Sequence, residues 1–178
     1  MNIKYAILGF LSWHPFTGYE LKKMFMDSPY FYWSGNNNQI YRTLVLLLNE
    51  GLATKEVQYQ ENYPARKLYS ITEDGKSELR RWIISAPELP QIRNSFLSQL
   101  AWADQLQSEE LHNLLNEYEH EIEMQLVMRQ EKERRGNDEP ARSVREKLIW
   151  KLIADNWIES YKSELKWIKR LGKELGNL

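Results

Sequence analysis

The sequence predicts a mainly α-helical protein that contains one small β-hairpin. Apolar residues recur at helical spacing over most of the 178 residues, and only residues 52–71 show the alternation typical of strands. Two prolines close together, Pro87 and Pro90, break regular structure between these regions. We therefore expect a mixed N-terminal domain at residues 1–86 and an all-helical domain at residues 91–178.

Three helices are predicted before the hairpin. The first covers residues 2–13 and ends before Pro15, because a residue that precedes proline avoids the α region. The second begins in the segment Thr17-Gly-Tyr-Glu20, which has the form of a capping box. The third begins at the Asn-rich residues 36–39 and ends before Gly51, a residue type that favours helix C-termini.

The third helix has two different faces. Its apolar residues fall on one side of the helix and are predicted to be buried: Ile40, Leu44, Leu47 and Leu48. Its N-terminal end carries polar side chains: Asn37, Asn38, Gln39, Tyr41 and Arg42. Such side chains can hydrogen-bond base edges in the major groove of DNA, and a helix N-terminus favours a phosphate group.

The hairpin is predicted from two strands, residues 52–60 and 67–71, separated by a polar turn at residues 61–66. This assignment places Arg66 and Lys67 at the hairpin tip, where they can reach phosphate groups.

A fourth helix is expected to begin at Thr72 with acidic residues in its first turn. Leu79, Trp82 and Ile83 form its predicted buried stripe. Three helices followed by a hairpin is the order of a winged helix-turn-helix, so we expect that fold for the N-terminal domain.

The C-terminal domain is predicted to consist of helices over residues 91–107, 108–135 and 141–175. The two long helices carry wide apolar stripes that they cannot bury alone, so we expect a homodimer. Four tryptophans lie in this domain: Trp102, Trp150, Trp157 and Trp167. They are candidates either for a pocket that binds a small aromatic effector or for a dimer interface.

Composition excludes several classes of protein. The absence of cysteine excludes disulfides, Cys-based zinc sites and thiol chemistry. No apolar run is long enough for a membrane span and no signal peptide is recognisable, so we expect a cytoplasmic location without a membrane partner. His112 and His120 are badly spaced for one metal ion, and no catalytic constellation stands out. We therefore expect neither an enzyme nor a cofactor or metal site.

Charge is divided unevenly along the chain. The net charge of the whole is −1, but residues 1–86 hold ten Lys/Arg and eight Asp/Glu, whereas residues 87–178 hold fourteen and seventeen. The sign of this difference fits an N-terminal half that contacts nucleic acid.

Several motifs resemble those of one family. They are Ile7-Leu-Gly-Phe-Leu11, Pro15-Phe-Thr-Gly-Tyr-Glu-Leu21, Gln39-Ile-Tyr41, Glu50-Gly-Leu52 and Pro64-Ala-Arg-Lys-Leu-Tyr-Ser-Ile-Thr-Glu-Asp-Gly75. In this order they resemble the PadR family of bacterial transcription regulators over about residues 3–85. The C-terminal helices resemble the long C-terminal domain of the subgroup that includes virulence activator alpha proteins.

The resemblance implies a sequence-specific transcription regulator, with repression the expected effect. It implies a homodimer held by the C-terminal helices on a near-palindromic operator in double-stranded DNA. It assigns DNA contacts to matching positions: Tyr19, Gln39, Tyr41, Arg66 and Lys67. Some PadR relatives sense aromatic compounds, which is consistent with an aromatic effector.

Two features depart from the family pattern. Val45 and Leu46 stand where family members usually have charged residues. The β-hairpin of residues 52–71, which we call the wing, lacks the common glycine before its basic residues. An exposed apolar pair on the third helix is typical of a protein-binding surface. A winged-helix protein-interaction module without DNA binding therefore stays open as the alternative.

Overall fold

The chain folds as two compact units, Met1–Glu88 and Leu89–Leu178, which we call the N-terminal and C-terminal units. The computed structural model describes residues 3–27, 37–60, 63–89, 94–135 and 142–176, without the side chains of residues 27, 37, 60, 63 and 64. The aromatic segment at residues 30–35 lies outside the described residues.

The N-terminal unit contains four helices and a three-stranded antiparallel sheet. Its elements are α1 (Ile3–Leu11), β1 (Phe16–Thr17), α2 (Gly18–Asp27), α3 (Asn37–Asn49), β2 (Ala53–Gln60), β3 (Tyr63–Ile71) and α4 (Glu73–Ile83). The strand order is β1-β3-β2. The predicted helices and hairpin are therefore present, with α1 ending two residues earlier than expected.

The sheet differs from the prediction in two ways. β1 was not predicted, because two residues, Phe16 and Thr17, are too few to show alternation; they pair with Tyr69 and Leu68 of β3. β3 begins at Tyr63 and not at Lys67, and Arg66 pairs with Gln58 of β2. The placement of Arg66 and Lys67 at the tip was therefore wrong.

The prediction started β3 too late because residues 65–67 of the strand are exposed. The outer half of the hairpin is exposed on both sides, at residues 54–59 of β2 and 65–67 of β3. A strand that buries neither face needs no apolar alternation, so a polar sequence there was mistaken for a turn.

The core of the N-terminal unit lies between α1, α2, α3 and the inner half of the hairpin. Its largest fully buried side chains are Ile7, Leu8, Leu21, Ile40, Leu44 and Leu47. Gly51 follows α3 with a φ of 69°, the left-handed conformation that ends a helix without a Cβ penalty.

The buried stripe predicted for α4 was only partly right. Leu79 packs on the core, whereas Ile83 is exposed and Trp82 is 44% exposed. The Trp82 ring stacks on Tyr5 of α1 with 4.7 Å between ring centroids. One aromatic contact at the edge of the core therefore replaces deep burial.

The C-terminal unit is entirely helical. Its elements are α5 (Ser95–Leu100), a 3₁₀ turn (Ala103–Gln105), α6 (Ser108–Arg135) and α7 (Val144–Leu175). The continuous helix predicted over residues 91–107 was wrong. Asn94 caps α5, its Oδ1 accepting from the backbone N–H groups of Phe96 and Leu97. No helix within the described ranges is long and apolar enough to cross a bilayer.

α6 and α7 run antiparallel and pack along their lengths. Near one end Lys169 of α7 contacts Glu119 and Glu123 of α6. Towards the other end Arg129 of α6 lies over the rings of Trp157 and Tyr161, 5.1 and 5.0 Å from their centroids.

A small apolar core lies between α5, α6 and α7. Phe96, Leu115 and Ile168 form its buried centre. Above it, the Tyr118 hydroxyl accepts from Asn94 Nδ2 at 3.1 Å and donates to Glu164 Oε1 at 2.8 Å. This pair of hydrogen bonds links the cap of α5 to both long helices.

We predict that Gly75→Ala destabilises the N-terminal unit by about 1–3 kcal/mol, the usual cost of overpacking. A Cβ on Gly75 would clash with the Leu52 carbonyl oxygen and would lie 2.8 Å from Ile71 Cγ1. The matched control is Gly9→Ala inside α1, where a Cβ meets nothing within 4 Å. The control should gain roughly 0.5–1 kcal/mol from reduced backbone entropy. Urea unfolding of both variants tests the difference, and equal stabilities would contradict it.

Candidate nucleic-acid interface

The outer face of α3 presents the side chains that the sequence predicted for DNA contact. Asn38, Gln39 and Arg42 are exposed, and Tyr41 is 48% exposed. Asn37 is the first residue of α3, but its side chain lies outside the described part of the chain. Since Ile40, Leu44 and Leu47 are fully buried on the opposite side, the rotation of the helix is fixed with its polar N-terminal half towards solvent.

Tyr41 also connects α3 to α2. A Cβ built on Gly18, the first residue of α2, would lie only 2.5 Å from Tyr41 Cε1. Glycine therefore allows the Tyr41 ring to lie against the start of α2. The ring is also near Tyr69 of β3, whose pKa is raised first by burial and then by the neighbouring Tyr41. Tyr41 is thus a packing residue with an exposed edge, and that edge is available for the DNA contact predicted from the sequence.

Glu20 closes the predicted capping box. Its Oε2 accepts from the Thr17 backbone N–H at 2.7 Å and from the Thr17 hydroxyl at 2.9 Å. The Glu20 backbone N–H donates back to Thr17 Oγ1 at 3.1 Å. These reciprocal bonds satisfy the start of α2 and fix its position.

The same carboxylate pairs with the wing. Arg66 Nη2 lies 2.5 Å from Glu20 Oε1, and both side chains are partly exposed. Partial burial alone would raise the pKa of the Glu20 carboxyl, but the hydrogen bonds from Thr17 and the charge of Arg66 hold it below its usual value. The Arg66 guanidinium is therefore already paired with a carboxylate in the free protein.

Three other residues of the wing are exposed. Lys67, predicted as a DNA contact, is exposed on β3 and pairs in the sheet with Val57. Lys55 and Tyr59 of β2 are also exposed, Tyr59 at 89%. Neither Lys55 nor Tyr59 was predicted from the sequence as a DNA contact, although a lysine and a tyrosine in a polar hairpin could have indicated one.

The start of α2 carries further candidates. Tyr19, predicted from the family motif, is 71% exposed. Lys23, one turn later, is exposed, and Lys22 is partly exposed. Residues four apart share a helix face, so Tyr19 and Lys23 lie side by side. These lysines were not predicted from the sequence as DNA contacts. The pattern that could have indicated them is the basic pair directly after the family motif that ends at Leu21.

The C-terminal tryptophans occupy different environments. Trp102 is 71% exposed, whereas Trp150 is partly buried. Trp167 packs edge-on against Phe96, and Trp157 lies beneath Arg129. Packing within one chain thus accounts for Trp157 and Trp167. Trp102 is the most available of the four for another molecule.

Acidic and histidine side chains do not form a metal site where the structure describes them. No three His, Cys, Asp or Glu side chains come together within the described ranges. Glu119 and Glu123 contact Lys169 of α7.

Two family models match successive parts of the chain. Residues 7–81 match the transcriptional regulator PadR-like family. Residues 92–176 match the virulence activator alpha C-terminal family. Both resemblances predicted from the sequence motifs are thereby confirmed.

One curated relative is the negative transcriptional regulator PadR of Bacillus subtilis (strain 168). It is 30% identical over 116 residues, which cover 65% of this chain and 64% of that protein. The match thus spans slightly less than two thirds of the relative.

Solved structures confirm the predicted fold class. The B. subtilis PadR complex with operator DNA has a TM-score of 0.83 at 24% identity, covering 95% of this chain and 96% of that one. The same protein with p-coumaric acid has a TM-score of 0.74 at 24% identity, covering 95% and 92%. The Vibrio cholerae virulence activator AphA has a TM-score of 0.74 at 26% identity, covering 99% of both chains.

We predict that Glu20→Gln removes a pH-dependent contribution to stability while keeping the cap, since glutamine also serves in a capping box. Because the folded pKa of Glu20 is lowered, its contribution is full above the unfolded value and is lost as pH falls through the folded pKa. The variant should be less stable than the parent by about 0.5–1 kcal/mol at pH 7, and the difference should disappear as the pH falls below the folded pKa of Glu20.

Chemical denaturation at several pH values measures this difference. The control is the same substitution in an Arg66→Gln background, where the ion pair is already absent and Glu20→Gln should cost less. A cost that is independent of pH and of Arg66 would show that the ion pair contributes nothing.

Proposed function

Because the chain belongs to the PadR-like family of transcriptional regulators, we propose that it binds operator DNA as a homodimer and represses transcription. The observation that carries this proposal is the exposed polar N-terminal half of α3, beside the basic residues of α2 and the wing. The solved complex of B. subtilis PadR with operator DNA, a chain of the same fold, supports it. We assign the protein a regulatory and not an enzymatic role, acting in the cytoplasm.

In this proposal α3 enters the major groove. Gln39 and Arg42 hydrogen-bond base edges, the pairings being glutamine with adenine and arginine with guanine. Asn38 and Asn37 lie at the helix start, where backbone N–H groups favour a phosphate or a base edge. The exposed edge of Tyr41 contacts the DNA beside them, at the junction with α2.

The wing and α2 would hold the DNA backbone. Lys67 and Arg66 of β3 and Tyr19 of α2 donate to phosphate oxygens, which position the protein without reading sequence. Lys22, Lys23 and Lys55 add positive charge around them. A phosphate that takes Arg66 must compete with the Glu20 carboxylate, so Lys67 contributes more freely to affinity.

The helical C-terminal unit is the proposed dimerisation domain. Large apolar side chains are exposed along α6 and α7: Met124, Val127, Met128, Val144, Leu148, Ile149 and Leu152. Contact with a second copy would remove this surface from water. A homodimer has twofold symmetry, so it matches a near-palindromic operator.

An aromatic effector is proposed for the C-terminal unit. B. subtilis PadR has been crystallised with p-coumaric acid. In this chain the exposed indole of Trp102 offers a face on which a planar molecule can stack. Quenching of tryptophan fluorescence by a series of phenolic acids, compared in the parent and in Trp102→Phe, tests this part of the proposal.

The second candidate function is protein binding through α3 without DNA contact. Its supporting observation is the exposure of Val45 and Leu46, at 55% and 45%. Failure to retain any DNA fragment at low salt would favour it over the regulator.

We predict that Gln39→Ala combined with Tyr41→Ala abolishes specific operator binding and leaves the dimer intact. The substitutions remove base-edge contacts, whereas the dimer is placed in the other unit. The operator is first selected from genomic fragments, and footprinting and sedimentation then measure the two properties. Gln130→Ala, an exposed glutamine on α6, is the control for the loss of a glutamine side chain. Protection of the same operator by the double variant would overturn the site assignment.

We predict that Lys67→Ala weakens binding to all DNA sequences alike and reduces the salt dependence of affinity. Each lost phosphate contact lowers the slope of log K against log salt by about one, hence by about two for a dimer. Lys76→Ala, which removes an exposed lysine of α4, is the matched control and should leave the slope unchanged. Equal slopes for Lys67→Ala and the parent would place this residue outside the interface.

A further inference from the structure

Val45 and Leu46 are an exposed apolar pair on the outer face of α3, and the hydrogen-bonding interface does not use them. The two side chains are 55% and 45% exposed. Valine is a weaker helix former than lysine, glutamine or alanine, so local helix stability does not favour it at an exposed position. A contact with another molecule would therefore explain why Val45 and Leu46 are apolar.

The helix places Val45 in line with the base-reading side chains. Asn38, Tyr41, Arg42 and Val45 are spaced i, i+3, i+4 and i+7, which gathers them on one face over two turns. Homeodomain recognition helices present their base-reading residues with this spacing. Val45 would then face the base pairs next to those contacted by Arg42, and Leu46 stands beside it.

The major groove of DNA offers one apolar group to such a side chain, the C5-methyl group of thymine. We propose that Val45, supported by Leu46, determines specificity by contacting a thymine methyl group in each half-site. This inference rests on the proposed function as a DNA-binding regulator. A protein partner is the less favoured occupant, because exposed Arg42 and Asn49 border the apolar pair on the same face and both suit base edges.

The experiment begins with the full-length chain and a randomised duplex library, from which the preferred operator is selected. Each thymine of one half-site, and then of both, is replaced by deoxyuridine, which pairs identically but lacks the methyl group. Burial of one methyl group corresponds to about fourfold in affinity per half-site and about fifteenfold for two. We expect that loss at one thymine position per half-site, with unchanged binding at the others.

Variants then assign the contact. Val45→Ala should bind the thymine operator more weakly and should no longer distinguish thymine from uracil at that position. Leu46→Ala should reduce the discrimination without abolishing it. Ile84→Ala, which truncates a 73% exposed apolar side chain at the C-terminal end of α4, is the control and should keep the full discrimination. Circular dichroism verifies that each variant is folded.

The outcomes separate this inference from the function on which it rests. A selected operator whose binding is insensitive to every uracil substitution would overturn the methyl contact and leave the regulator intact. Discrimination that persists in Val45→Ala would assign the methyl contact to another residue and also overturn the inference. If no sequence is enriched from the library at low salt, the proposed function itself fails, and the apolar pair is then assigned to a protein partner.

Discussion

Burial of the inner face of α3 is the constraint on which the N-terminal unit depends. Ile40, Leu44 and Leu47 are completely buried in the core formed with α1 and α2. Each such side chain is worth about 1.5–3 kcal/mol relative to exposure, so turning the helix about its axis would be very costly. The outer face is thereby held in one orientation, although none of its own residues contributes much to folding.

Two short-range contacts then relate α3, α2 and the wing. The Glu20 carboxylate uses one oxygen to cap α2 and the other to hold Arg66 of β3. Gly18 leaves room for the Tyr41 ring at the start of the same helix. Because both contacts meet in the first turn of α2, that turn positions the two surfaces proposed to contact DNA.

The C-terminal unit follows a different principle. Its two long helices carry apolar residues on more than one face. Ile122 and Ile168 are buried, whereas Val127, Met128, Leu148 and Leu152 remain exposed. The Tyr118 hydrogen bonds and the Arg129 contacts with aromatic rings hold α6 against α7. The exposed apolar surface is then left for another molecule, which is what the proposed dimer requires.

The sequence by itself determined the local features. Helical periodicity identified α1 to α4 and both long helices, and the Thr17–Glu20 pattern predicted a capping box that the structure contains. Such features depend on neighbours within four residues. The polar outer face of α3 was equally predictable, because a helix that buries one side must expose the other.

Tertiary structure alone decided what depends on distant residues. The two-residue strand β1 exists because β3 pairs with it, and α5 is capped by Asn94, whose side chain also reaches Tyr118. Arg66, predicted at a hairpin tip, lies within β3 opposite Gln58 and is paired with Glu20, a residue 46 positions away. No local pattern encodes these contacts, because each arises only when separate elements meet.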